Sequence, residues 1–153
     1  MIEAVDVLAP QRRAKSAASL TRPAYEFVVR TRDHDTETVV ISVEGELDIA
    51  TAPEFERELV NAVRRAAARV VVDLSATTFF DSSAIRALVA GSRRLEASGT
   101  ATCVVSSGSA VERVLQITGV DRLLEVYATV EDAVRPRPAN GNGQAHITQP
   151  ATA

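Results

Sequence analysis

Val70-Val71-Val72-Asp73-Leu74 is apolar at every position but one. A strand of that composition has no face to offer to water. It belongs at the centre of a parallel sheet, where crossover helices cover both sides. Around this run, segments with strand and helix periodicity alternate. Tyr25 to Arg30 and Thr38 to Val43 read as strands joined by the polar loop Thr31 to Glu37, a hairpin at one sheet edge. A helix then starts at Thr51, with Phe55, Leu59, Ala62, Val63 and Ala66 on one face. After the apolar strand, Ile85 to Leu95 has helical spacing, with Ile85, Leu88, Val89, Ser92 and Leu95 inward and Gly99 placed to end the element. Thr100 to Val105 is the next strand, Val111 to Thr118 a helix stopped by Gly119, and Leu124 to Tyr127 a short strand before a last helix. The expectation is one α/β domain: a mostly parallel sheet of about five strands, about four helices, and right-handed crossovers.

Three helix starts carry capping chemistry. Thr51 with Glu54 and Ser109 with Glu112 form the spacing in which each side chain bonds the other's backbone N–H, and Pro53 is tolerated in a first turn. Thr129 with Asp132 is placed to cap the last helix.

The chain's 153 residues suit a single core, placed here over residues 24–135. With 4% aromatics and no Trp, that core must be built from Val, Leu, Ile and Ala. Residues 1–23 read as a flexible basic tail carrying Arg12, Arg13, Lys15 and Arg22, either solvated or an arm toward an acidic partner. Residues 136–153, rich in Pro, Gly, Asn and Gln, have too little to bury and read as disordered. Cys103 is the only cysteine and lies within an apolar run, so it reads as a buried small hydrophobe. The net charge of -3 gives no general pull toward nucleic acid. No signal peptide is visible, and no apolar run approaches the ~18 residues of a membrane span. A cytoplasmic protein is expected.

Catalytic chemistry finds little support. The only histidines are His34 and His146, no cluster has metal-ligand spacing, and no glycine-rich phosphate loop is present. A serine nucleophile would need a base, and the helical core holds no histidine. The expectation is a protein that is not an enzyme and takes no cofactor.

Attention falls instead on Asp81-Ser82-Ser83-Ala84, between the central strand segment and the Ile85 helix. Asp and Ser are favoured helix N-caps, so one of these residues caps the helix whatever else it does. One cap is enough, which leaves a neighbouring hydroxyl free in the first turn. A phosphate there adds roughly -1.5 to -2 charges, which a helix N-terminus tolerates and a docked partner does not. Upstream, Gly45-Glu46-Leu47-Asp48 ends another strand-like run. Asp48 reads equally as a surface contact or as a solvated strand end leading into the next helix, and Glu46 more simply as the latter. Arg86 lies close enough to the turn to contact a phosphate, whereas Arg93 and Arg94 read as a solvated helix face.

These two segments together resemble the STAS-domain anti-sigma factor antagonists, over roughly residues 24 to 135. The resemblance implies a phosphorylation-regulated binding protein. Ser83 would be the phosphoacceptor, Ser82 the second choice, and Asp81 the turn and cap residue. Asp48, Asp81, Ser82, Ser83, Ala84 and Arg86 would form the partner-binding surface. The family usually has Gly where this chain has Ala84, which bears on how closely a kinase loop approaches. By the same resemblance, the dephosphorylated protein binds an anti-sigma factor with ATP-dependent serine kinase activity and frees a sigma factor. A serine phosphatase restores the active form, with no direct contact to nucleic acid or membrane. The alternative keeps the fold without the switch: a non-phosphorylated STAS scaffold, or a subunit of a signalling or lipid-transport assembly.

Overall fold

The computed structural model of the protein describes residues 27–108 and 110–136. The expected 1–23 tail lies outside these residues, as do Tyr25, Ser109, His146 and all of the expected 136–153 tail except Pro136. Five strands form one sheet in sequential order: β1 (Val28–Asp33), β2 (Thr38–Leu47), β3 (Arg69–Phe80), β4 (Ala101–Val105) and β5 (Glu125–Tyr127). β1 runs antiparallel to β2, as the edge hairpin requires, and the other neighbours are parallel. The apolar run sits where its composition demands. Val70, Val71, Val72 and Leu74 are 0% exposed, in a strand with neighbours on both sides.

Side-chain alternation divides the core in two. Val70, Val72 and Leu74 face a large cluster containing Phe55, Leu59, Leu88, Leu95, Val111 and Leu115. These come from α1 (Ala52–Ala62), α2 (Ser82–Ala97) and α3 (Ala110–Thr118). Val71 faces the other way, with Val40, Cys103 and Val105, beneath Ala133 of the short last helix Val130–Val134. Cys103 is therefore the buried hydrophobe expected of it. At the start of β3, Arg69 ties the sheet laterally: its Nη2 donates to the Tyr127 hydroxyl at 3.1 Å and lies 3.5 Å from Glu125. Burial pulls the Arg69 pKa down, but the adjacent Cys103 thiol and Tyr127 hydroxyl more than offset this, so it stands above the ordinary value.

Four element boundaries differ from expectation. β3 does not stop at Leu74 but absorbs Thr77 to Phe80, because the Thr77 hydroxyl donates to the Val43 carbonyl at 3.0 Å and holds β3 to β2. β2 likewise runs past Val43 to Leu47, through register shifts that Gly45 permits with φ of 91°. Ala66 is exposed rather than on the inner face, since α1 ends at Ala62 and the chain leaves through a 3₁₀ turn and a left-handed Ala66 (φ 53°). Gly119, also left-handed, ends α3 as expected but starts a further turn, α4 (Val120–Leu123), giving one more helix than the spacing suggested. The last helix is α5.

The inner face of α2 is also rotated. Ala84, Ala87, Leu88, Gly91, Ser92 and Leu95 are buried, while Ile85 and Val89 pack only partly against the core. Small residues let α1 come close: a Cβ built on Gly91 would lie 2.5 Å from Leu59 Cδ1 and 2.8 Å from Leu59 Cβ. The Cδ1 contact could be relieved by a rotamer change, but the Cβ contact cannot, because both positions are fixed by backbone. Gly91→Ala should therefore destabilise the protein by about 1–3 kcal/mol of overpacking, less up to ~1 kcal/mol of helix propensity gained. A denaturant midpoint equal to or above that of the parent would show that α1 and α2 can separate freely.

Candidate functional site

β2 and β3 end together. Leu47 pairs with Phe80, Glu46 with Phe79, and the Asp81 N–H reaches the Leu47 carbonyl at 3.4 Å. The β2–α1 and β3–α2 loops are thereby brought side by side at the C-terminal end of the parallel strands, where binding loops of open α/β sheets collect.

In the second loop Asp81 is the cap. Its backbone is extended (φ −108°, ψ −171°), and its Oδ1 accepts from the Ser83 and Ala84 N–H groups at 2.9 and 3.1 Å. Ser82 is exposed and Ser83 half-buried. Among the described residues neither hydroxyl has a hydrogen-bond partner. Other hydroxyls behave differently: Thr77, Ser92, Ser98, Thr100 and Thr118 all donate to backbone carbonyls. The first turn of α2 itself contains no acidic residue, and the positive end of this 16-residue helix, beside the two serines, is met by the Asp81 carboxylate at the cap. Arg86 is exposed, three residues after Ser83 and four after Ser82, the spacings that share a helix face. Ala84 is 0% exposed. Expected among the contacting residues, it instead points its methyl into the core and leaves the approach to the serines open.

The first loop departs from expectation. Thr51 makes no side-chain cap bond, and the box with Glu54 does not form. Asp48 instead holds the turn that leads into α1: its Oδ1 accepts from the Ala50 and Thr51 N–H groups at 2.9 and 3.1 Å. The Thr51 hydroxyl is turned inward, donating to the Glu46 carbonyl and accepting from the Asp48 N–H, both at 2.9 Å. Asp48 thus spends one carboxylate oxygen on the loop itself.

That loop presents a residue the periodicity did not single out. Ile49 is 77% exposed, and Phe79, on the neighbouring strand end, is 49% exposed. A signal for both existed. An apolar residue between Asp48 and Ala50 in a capping segment has no core position to occupy, and consecutive residues in a strand point to opposite faces, so Phe79 and Phe80 cannot both be buried on one side. Ile49, the serines and Arg86 lie on the two adjacent loops and the first turns of α2, whereas Phe79 stands at the end of β3 on the sheet face opposite Phe80. Among the described residues, no group of three or more His, Cys, Asp or Glu side chains is placed to hold a metal, and no helix is long and apolar enough to cross a membrane.

The STAS domain family model matches residues 27–133, spanning every element described above except the last residue of α5. The chain belongs to the STAS domain family. Among its relatives, the anti-sigma-F factor antagonist RsfB of Mycobacterium tuberculosis is 31% identical over 108 residues, covering 71% of this chain and 87% of that protein. A crystal structure of an anti-sigma factor antagonist from Mycobacterium paratuberculosis superimposes with a TM-score of 0.66 at 32% identity, covering 72% of this chain and 93% of the other. SpoIIAA, an anti-sigma factor antagonist, is similar in its unphosphorylated form: TM-score 0.60, 26% identity, with 70% of this chain and 93% of that one covered. The phosphorylated form of the Bacillus protein gives 0.56 at 25% identity, covering 70% and 96%.

The STAS fold here depends on Asp81 for the start of α2. Asp81→Ala should destabilise the protein by about 1 kcal/mol, within the 0.5–2 kcal/mol range of lost N-caps, and Asp81→Asn by much less. Equal losses for the two variants, measured by thermal unfolding, would show that the carboxylate's charge rather than its hydrogen bonds matters at this position.

Proposed function

We propose that this STAS-domain protein is an anti-sigma factor antagonist whose binding surface is the paired-loop end of the sheet. The observation that carries the reading is the pair of serine hydroxyls without partners among the described residues at the start of α2, with exposed Ile49 on the adjacent loop. The names of its relatives, RsfB and SpoIIAA among them, support the same role. In the dephosphorylated state the surface docks on an anti-sigma factor, which releases its sigma factor. The protein is a binding partner rather than an enzyme, and it acts in the cytoplasm.

Phosphorylation of the loop is the switch. The anti-sigma factor serves as the ATP-dependent serine kinase, and a separate serine phosphatase reverses the step. The family resemblance assigns the phosphate to Ser83. A second reading, Ser82, is favoured by exposure, since Ser82 is the open member of the pair and Ser83 is half-buried. Either site leaves the fold intact, because the helix N-terminus accepts the charge and Arg86 lies within a turn of it. A docked partner would have to bury that dianion beside Asp81, so the loss falls on binding. Each ~1.4 kcal/mol of that loss is a tenfold change in affinity. Asp48 contributes by holding the Ile49 loop, and Asp81 by holding the serines.

The test pairs site mapping with variants. Ser83→Ala should bind the anti-sigma factor as tightly as the parent and resist phosphorylation, and Ser83→Asp should bind at least tenfold more weakly. Equal affinities for Ser83→Ala and Ser83→Asp, together with a phosphate mapped to Ser82, would move the switch to its neighbour. Equal affinities with no phosphate on either serine would contradict the switch and favour a STAS scaffold.

A further inference from the structure

The far half of α2 forms one wall of a second surface feature, at the opposite end of the sheet from the serines. A half-open groove of about 480 Å³ lies between α2, the start of β4 and the α4–β5 segment, within the ~300–1,000 Å³ range of small-molecule sites. Its apolar lining comes from Val89, Leu123 and Leu124. Leu123 is 63% exposed and offers an apolar side chain to the groove. Thr102, on β4, also lines the groove, and its Oγ1 is buried with no hydrogen-bond partner. Buried hydroxyls are ordinarily satisfied, so an acceptor or donor arriving in the groove would remove a standing cost.

Charge narrows the ligand. Arg93 and Arg122 stand on the α2 and α4 sides of the groove, and neither is in an ion pair among the described residues. Of the two carboxylates that line it, Glu125 is taken by Arg69, leaving Glu96. Two free guanidiniums against one free carboxylate favour a single negative charge. We propose that this groove is a binding site for a small amphipathic monoanion, with a short apolar chain lying on Val89, Leu123 and Leu124 and a carboxylate-type head held by Arg93 and Arg122. The site is distinct from the serine end of the domain and does not depend on the function proposed above.

Octanoate is the probe, titrated into the full-length ¹⁵N-labelled protein, with octanol as the uncharged comparison. Octanoate should give saturable shifts at the amides of Val89, Thr102 and Leu123, leaving Ser82 and Ser83 unmoved, and octanol should bind at least tenfold more weakly. Arg93→Glu with Arg122→Glu should weaken octanoate at least tenfold, and Leu123→Asp should do the same from the apolar side. All three residues are exposed, so the variants should keep the parent's amide spectrum elsewhere. No saturable shift up to the solubility limit, shifts centred outside the groove, or equal binding of octanol would each overturn the proposal.

Discussion

Burial of β3 on both faces is the constraint from which the rest of this molecule follows. Val70, Val72 and Leu74 need one layer of helices and Val71 needs another, so the chain must leave the strand and cross over the sheet rather than turn back beside it. The crossover begins one residue after Phe80, with α2 starting at Ser82. A helix that starts so abruptly exposes its first N–H groups at the sheet's end, and something must satisfy them. Asp81 does so for the N–H groups of Ser83 and Ala84. The serine-bearing loop is thus a consequence of how a doubly covered strand hands over to its helix.

Capping by Asp81 has a second effect. With the carboxylate meeting the orphan donors, neither serine hydroxyl is needed to hold the turn. The contrast with Thr51 is instructive. There the hydroxyl is turned inward, shared between the Glu46 carbonyl and the Asp48 N–H, and 5% exposed, with no freedom left for anything else. Two loops with similar residue types therefore divide the labour: the Asp48–Thr51 loop is locked and holds out Ile49, while the Asp81 loop is locked by one residue and leaves two hydroxyls spare. A phosphate added to a spare hydroxyl breaks no internal hydrogen bond, which is why its effect can be confined to a partner.

Much of this was legible in the residues. The doubly apolar strand, the edge hairpin and the strand–helix alternation follow from periodicity and stand in the structure; local chemistry called for a cap among Asp81, Ser82 and Ser83, and the structure gives it to Asp81. What periodicity could not supply was tertiary choice. The rotation of α2 onto Ala84, Ala87 and Gly91 is set by the close approach of Leu59, which has no local signature. The extension of β3 to Phe80 depends on Thr77 bonding to Val43 across 34 residues. The capping box at Thr51 does not form because its hydroxyl is engaged by the Glu46 carbonyl and the Asp48 N–H, while the Glu54 N–H bonds the Thr51 carbonyl instead. Exposed apolar residues such as Ile49 and Phe79 look like core in a periodicity count until the loops are in place.

The account rests on a single claim: one phosphate at the start of α2 removes the docking of an anti-sigma factor without unfolding the domain. The most direct measurement is the dissociation constant of the cognate anti-sigma factor for the same preparation before and after stoichiometric phosphorylation, with the thermal midpoint recorded for both. The account predicts a weakening of about a hundredfold or more, equivalent to roughly 2.7 kcal/mol, with the midpoint nearly unchanged. An unchanged dissociation constant, or a loss of binding accompanied by a collapse of the thermal midpoint, would contradict it.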